Sequence, residues 1–285
     1  MPIDLDRVVG ATLPSSTFMW TDDDVILYHL GIGAGFDPVD ELELRYVYEA
    51  DLVVIPTFAN IPPFSITMGI VATEGLEVDL AQILHGEQET ILHDAIPTRG
   101  TVRNEGSIVG VYDKGKGALA VVEIVSILEA TGEPIFTNRS SIYIRGEGGF
   151  GGDPGPPTTS FTPDREPDHV VTSITLPQQA LLYRMVSGDR NPLHVDPGFA
   201  AFAGYDRPIL HGLCTYGIVA KAVIDTAVGG RPAEIASYRG RFAGVVYPGE
   251  SIITSIWDEG DQIRVEAISA ERGVPVVSTG LVTRR

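Results

Sequence analysis

Cysteine, basic charge and long apolar runs are all scarce in this chain, and each scarcity excludes something. Its 285 residues hold one cysteine, Cys214, so neither an internal disulfide nor a cysteine cluster for zinc can form. Lysine and arginine number 20 against 38 aspartates and glutamates, a net charge of −18. That balance implies no basic surface for nucleic acid or an anionic membrane, and an anionic ligand must find a local cationic patch. No stretch approaches the roughly eighteen apolar residues of a membrane helix. No secretory leader is recognised, and the closing Thr283-Arg284-Arg285 is not a peroxisomal Ser-Lys-Leu address. Together with the lone cysteine, these features predict a reducing cytoplasm.

What is present is a globular pattern of 44% hydrophobic and 20% charged residues, long enough for one large core or two ordinary ones. After a short leader, Thr21 caps a helix opened by Asp22, Asp23 and Asp24, whose charge suits a helix N-terminus. An apolar run from Phe58 to Val71 reads as a buried helix that Pro62-Pro63 must start or kink. Glu87–Leu92, Arg99–Tyr112, Gly117–Glu129 and Pro134–Arg145 then read as strands, with turns at Asp113-Lys114-Gly115 and Thr131-Gly132. Gly146 to Asp168 is rich in glycine and proline and has no period, as expected of a connection. Beyond it come a strand over Val170–Leu176, a helix starting at Pro177 and an apolar helix over Leu210–Asp225. Four strands follow, near Ile235–Ala243, Glu250–Asp258, Gln262–Ala270 and Val274–Val282.

The halves repeat. Leu27-Tyr28 with Gly33 matches Leu182-Tyr183 with Gly188, and Ile55-Pro56-Thr57-Phe58 falls on Leu210-His211-Gly212-Leu213, both at an offset of 155 residues. Pro97 against Pro248 gives 151, a small loop difference. The predicted fold is α+β and duplicated, each copy a long helix wrapped by an antiparallel sheet, the hotdog arrangement. Residues 1–147 form the first repeat, 148–168 the linker and 169–285 the second repeat. Pairing the two sheets edge to edge would cover strands otherwise left exposed.

Chemistry concentrates in Ser187-Gly188-Asp189-Arg190-Asn191-Pro192-Leu193-His194. Gly188 and Pro192 interrupt any helix, placing an acid, an amide and an imidazole on irregular backbone where side chains can converge on a ligand. Asp-x-Asn-Pro alone also reads as an Asx-turn with a capping aspartate. Through the repeat, Asp189 aligns with Ala34 and His194 with Val39, so one acid–imidazole site per chain is expected. Gly212 opens the long apolar helix. Its N–H is unpaired at the positive end of the dipole, and its missing side chain admits a close approach; a glycine chosen for packing is the plain alternative.

Tyr183 to Ala200 resembles the signature of the R-specific (type-2) enoyl-CoA hydratases of the MaoC-like group, and Arg207 to Gly217 extends the match. Ile83-Leu84-His85-Gly86-Glu87-Gln88, Asp113 to Gly117 and Gly148 to Gly152 look like the longer, double-hotdog members, so the resemblance spans nearly the whole chain. It implies that Asp189 and His194 hold one water, that Asn191 orients them, and that Gly212 N–H binds the thioester oxygen. It further implies that His85, Gly86, Lys114 and Phe242 contact the coenzyme A thioester. Lys114 in its glycine-flanked turn would supply the cationic patch, although a solvated hairpin lysine looks the same. His211 reads as packing or chemistry, and Cys214 as a core residue.

The expected activity is reversible hydration of a trans-2-enoyl-CoA to a (3R)-3-hydroxyacyl-CoA in fatty-acid or sterol side-chain metabolism. Coenzyme A is part of the substrate, acyl carrier protein is a possible carrier, and no other cofactor or metal is implied. A homodimer is implied by the resemblance. Three other readings stand beside it: a metal hydrolase using Asp189, Asn191, His194 and Asp196, which lacks the His-x₃-His spacing of a helical zinc site; a hotdog thioesterase; and a non-catalytic acyl-CoA-binding subunit.

Overall fold

The computed structural model describes residues 3–76, 82–157 and 162–285. Alternating apolar residues put five strands in each half: β1 (Thr12–Trp20), β2 (Ile83–Leu92), β3 (Gly100–Asp113), β4 (Gly117–Leu128) and β5 (Glu133–Arg145), then β6 (His169–Ile174), β7 (Ile235–Phe242), β8 (Ser251–Asp258), β9 (Gln262–Ser269) and β10 (Pro275–Arg284). All pair antiparallel in one sheet ordered β1-β3-β4-β5-β2-β7-β10-β9-β8-β6. Read from either edge the order is the same when β1 to β5 are exchanged for β6 to β10. That symmetry is the sequence repeat in three dimensions.

The halves meet where β2 pairs with β7, Glu87 opposite Arg241 and Glu89 opposite Arg239. Arg139 on β5 bonds Glu123 on β4 at 2.6 Å and lies 3.5 Å from Glu89, continuing an alternating-charge row. Opposite charges facing each other across strands favour this register over a slip. On the other face of the same strands, Gln88 bonds Asn60 at 2.7 Å and Asn138 at 3.0 Å, and Ser140 donates to Gln88 at 2.7 Å. These buried polar groups satisfy one another.

Seven helices are described: α1 (Leu5–Val8), α2 (Asp22–Gly31), α3 (Glu41–Val47), α4 (Phe64–Thr67), α5 (Gln179–Ser187), α6 (Pro197–Phe202) and α7 (Gly212–Ala227). Thr21 and Asp24 form the capping box of α2. The long helix α7 buries residues on every side, from Cys214 to Ile224, as an all-apolar helix must. Its first-half counterpart is broken into a 3-10 turn (Pro56–Asn60), α4 and a second 3-10 turn (Met68–Ala72). Pro62 and Pro63, which lack N–H donors, stand at the break.

Three expectations need correction. The leader contains edge strand β1, disguised by Pro14 and two serines and irregular in register between Leu13 and Ser16. The stretch 36–51, polar in sequence and assigned no element from it, contains α3, whose first N–H groups, of Leu42 and Glu43, bond Asp40 at 2.9 Å. His85 and Gly86, expected ahead of a strand, lie inside β2, where the register shifts between His85 and Glu87. The linker's first part is pinned to the β3–β4 turn: Asp113 accepts N–H groups of Gly149 and Gly151, each at 2.8 Å. Its last part docks on the second half, where Trp257 Nε1 donates to the Arg165 carbonyl at 2.9 Å. Residues 158–161 of the linker lie outside the described residues.

Candidate active site

The irregular segment after α5 is built by local hydrogen bonds. Gly188 turns the chain at φ 69°, a left-handed conformation that glycine adopts without strain. Asp189 Oδ1 then accepts the Asn191 N–H at 3.0 Å, and Asn191 Oδ1 accepts the Leu193 N–H at 3.0 Å, capping the turn Pro192–His194. The Asx-turn reading is thus observed, and the same turn leaves Asp189 and His194 facing one cavity. Asn191 is exposed and positions Asp189 through its main chain.

His194 is 8% exposed and its Nδ1 lies 2.9 Å from the Ile209 carbonyl. A carbonyl only accepts, so Nδ1 carries the proton and Nε2 presents a lone pair. Nε2 lies 3.8 Å from Asp189 Oδ2. Burial lowers the His194 pKa, the Asp189 charge and the Ile209 carbonyl pull the other way, and Arg184 lowers it further. A neutral imidazole and a carboxylate thus face each other as two acceptors. One water donating a hydrogen to each is the natural bridge.

Gly212 begins α7 directly beside them. The His211 carbonyl accepts from Cys214 and Thr215, each at 3.1 Å, and the Gly212 N–H, ahead of the first helical turn, has no internal acceptor. The repeat shows what this glycine replaces. In the first half Tyr28 OH donates to Thr57 Oγ1 at 2.8 Å. In the second half Gly212 stands at the Thr57 position, and the buried Tyr183 hydroxyl has no partner among the described residues. His211 stacks on His194 with ring centroids 3.7 Å apart. Burial foremost, then repulsion from His194, pushes its pKa down to about 2, against a favourable effect of the nearby Asp189 backbone.

These residues line a cavity of about 230 Å³ that reaches under the broken first-half helix to Phe64, Met68 and Ile70. Leu84, His85, Phe242 and Val245 also border an open groove of about 1060 Å³ on the outer face of the sheet. Five cationic side chains, Lys114, Arg139, Arg145, Arg239 and Arg241, line that groove against three acids, Glu87, Glu89 and Glu123. The local balance is positive on an acidic chain, which is the patch an anion requires. Lys114 Nζ bonds the Pro154 carbonyl. The four arginines escaped the sequence reading, because only pairing of β5, β2 and β7 gathers them. His85 packs edge-on against Phe242 at 4.9 Å and bonds Gln88 at 3.1 Å. Burial lowers its pKa to about 4, so it is a neutral wall at pH 7, not a phosphate-binding cation. A Cβ at Gly86 would come within 3.3 Å of the Ser141 carbonyl, which explains a glycine at the register shift.

Among the described residues, Asp189, His194 and His211 are the set able to hold a cation, with ligand atoms within 4.8 Å of one another. Cys214 is buried with Sγ 3.3 Å from the Gly31 carbonyl, and burial raises its thiol pKa, as suits a core residue. His29 likewise serves structure, bridging Tyr46 O at 2.6 Å and Ile55 N at 3.0 Å.

A duplicated hotdog with one acid–imidazole pair, a helix-start glycine and a basic groove leading to an apolar cavity has the outline of a thioester hydratase or dehydratase. Residues 18–146 match the MFE-2 hydratase 2 N-terminal domain and residues 158–279 the MaoC like domain. The enoyl-CoA hydratase ChsH3 of Mycobacterium tuberculosis is 43% identical over 99% of this chain and 98% of its own. The peroxisomal enoyl-CoA hydratase 2 of Arabidopsis thaliana is 39% identical over 96% of this chain and 93% of its own. The solved MaoC-like dehydratase of Phytophthora capsici superposes with a TM-score of 0.87 at 30% identity, covering 99% of each chain. The chain belongs to the enoyl-CoA hydratase 2 family of MaoC-like double-hotdog proteins. No helix among the described residues is long and apolar enough to cross a membrane.

Proposed function

We propose that this protein hydrates trans-2-enoyl-CoA to (3R)-3-hydroxyacyl-CoA, and runs the reverse dehydration, in fatty-acid or sterol side-chain metabolism. The observation that carries the reading is the gap of 3.8 Å between Asp189 and a neutral His194 Nε2, beside the free N–H of Gly212. The thioester oxygen sits on that N–H, where the helix dipole stabilises the charge it gains as an enolate. The bridging water's oxygen bonds to C3 while one of its protons passes to the Asp189–His194 pair. The pair returns one proton to C2 on the same face, so H and OH add syn and no other atom is consumed. Nothing is oxidised or reduced, so the substrate's own coenzyme A is the only cofactor the chemistry calls for.

The coenzyme A moiety lies in the basic groove with Lys114 and the strand arginines facing its phosphates. His85, Gly86 and Phe242 form the throat through which the acyl chain enters the cavity. A carrier-protein phosphopantetheine would thread the same throat. The resemblance further motivates a homodimer, checked by sedimentation, and the lone cysteine a cytoplasmic location, checked by fractionation because the Arabidopsis relative is named peroxisomal.

The test follows the enoyl absorbance of a chain-length series of trans-2-enoyl-CoAs and the chirality of the products, for wild type, Asp189→Asn and His194→Gln. Hydration by the wild type and its abolition in both folded variants is the expected result. Wild-type activity in both variants removes the pair from the mechanism, and release of free coenzyme A in place of hydration makes the protein a thioesterase.

A further inference from the structure

We propose that His211 is a third water-binding group of the active site, donating a ring N–H to the oxygen that adds to C3. This rests on the hydratase reading and deepens it. His211 is 2% exposed and lines the cavity, and among the described residues neither ring nitrogen meets hydrogen-bond geometry, although the Asp189 backbone lies close enough to favour its protonated form. A buried imidazole left so is costly unless a ligand meets it, because each unpaired polar atom keeps its desolvation penalty. Its placement says which ligand. The ligand atoms of Asp189, His194 and His211 lie within 4.8 Å of one another. Atoms that share one water at about 2.8 Å can be as far as about 5.6 Å apart, so a single water reaches all three.

The hydrogen-bond inventory then assigns the roles. Asp189 is an acceptor, and His194, whose Nδ1–H is taken by the Ile209 carbonyl, offers only the Nε2 lone pair. They consume both hydrogens of the water. One oxygen lone pair must attack C3, and the remaining one needs a donor, which a neutral imidazole N–H supplies. His211 gives up no proton. It aims the attacking lone pair, and in dehydration it stabilises the departing oxygen. The repeat agrees: position 211 aligns with Pro56 in the copy that also lacks the acid, the imidazole and the glycine.

The experiment compares wild type with His211→Phe, which keeps an aromatic ring on His194, and with His211→Asn, which keeps an N–H. Turnover, thermal stability and bound metal are measured. So are affinities for a 2,2-difluoro-3-hydroxyacyl-CoA, unable to lose water because it has no α-proton, and for the matching 2,2-difluoroacyl-CoA without the hydroxyl. The proposal expects His211→Phe to stay folded and to lose turnover on the order of 10²-fold, as for loss of one preorganised donor. It also expects about tenfold weaker binding of the hydroxylated ligand only, and partial recovery in His211→Asn. Wild-type turnover in His211→Phe overturns it, as does equal weakening of both ligands, which marks a packing role. Stoichiometric metal in the wild type, lost in the variants, overturns it in favour of a cation site. An inactive wild type that binds both ligands alike refutes the hydratase reading itself.

Discussion

Gly212→Ala separates stability from catalysis at a single carbon. A Cβ at Gly212 would lie 3.4 Å, 3.5 Å and 3.6 Å from three ring atoms of Phe242. Those are ordinary van der Waals contacts, and Gly212 is not among the residues with positive φ. The substitution therefore introduces neither clash nor backbone strain. Alanine favours helix over glycine by at most about 1 kcal/mol, and less at a first position, so the melting temperature should hold or rise slightly. The new methyl nevertheless packs against Phe242 on the wall of the cavity, where the proposed thioester oxygen must come to about 2.9 Å of the N–H. Displacing that oxygen by about 1 Å breaks the hydrogen bond, and loss of one such donor costs on the order of 10²–10³ in turnover, or about 3–4 kcal/mol. Paired measurements of melting and crotonyl-CoA hydration decide the matter. A fully folded Gly212→Ala protein with wild-type turnover would refute the role given to the helix start.

Three further outcomes are expected. Tyr28→Phe leaves buried Thr57 Oγ1 without its donor and should destabilise by about 1–3 kcal/mol, whereas Tyr183→Phe, whose hydroxyl has no partner among the described residues, should not lower stability at all; denaturant midpoints of the two variants compare them directly. Burial lowers His29 and His85 to about 4 and His211 to about 2, below the ordinary value of about 6.5 for an unfolded chain. The unfolded state therefore binds protons that the native state refuses. Stability is full above about pH 6.5 and falls toward pH 4, each histidine adding about 1.4 kcal/mol per pH unit to the slope. Urea midpoints across that range should show it, and His29→Gln should flatten it. Lys114→Ala should raise KM for coenzyme A thioesters and leave KM for short pantetheine thioesters unchanged; equal effects on both would take Lys114 out of the phosphate groove.

Much of this molecule was legible in advance where the signal is local. The eight strands of the two meanders, the capped α2, the long α7 and the break at Pro62-Pro63 all follow from period, turn residues and proline chemistry. The acid–imidazole segment was legible because its glycine and proline force irregular backbone within eight residues. Elements that only neighbours stabilise were not. Edge strand β1 carries Pro14 and a register irregularity, so its alternation is faint. The short helix α3 owes its start to the Asp40 side chain more than to any apolar stripe. The resemblance implies a site role for His85 and Gly86, yet their place inside β2 depends on pairing with β5.

Sequence by itself determined the duplicated plan, the single acid–imidazole pair and the glycine at the start of α7, because each is written in spacing along one segment. Tertiary structure decided the rest. Pairing of β2 with β7 brings Arg239 and Arg241 beside Arg139 and Lys114, residues separated by up to 127 positions in the chain. Folding of the second half lays the His211 ring on His194, and the cavity beside them runs under the broken helix of the opposite half. Periodicity reports which face a residue takes within its own element. Which faces meet is set by burial and hydrogen bonding over the whole chain, and the substrate sees only where they meet.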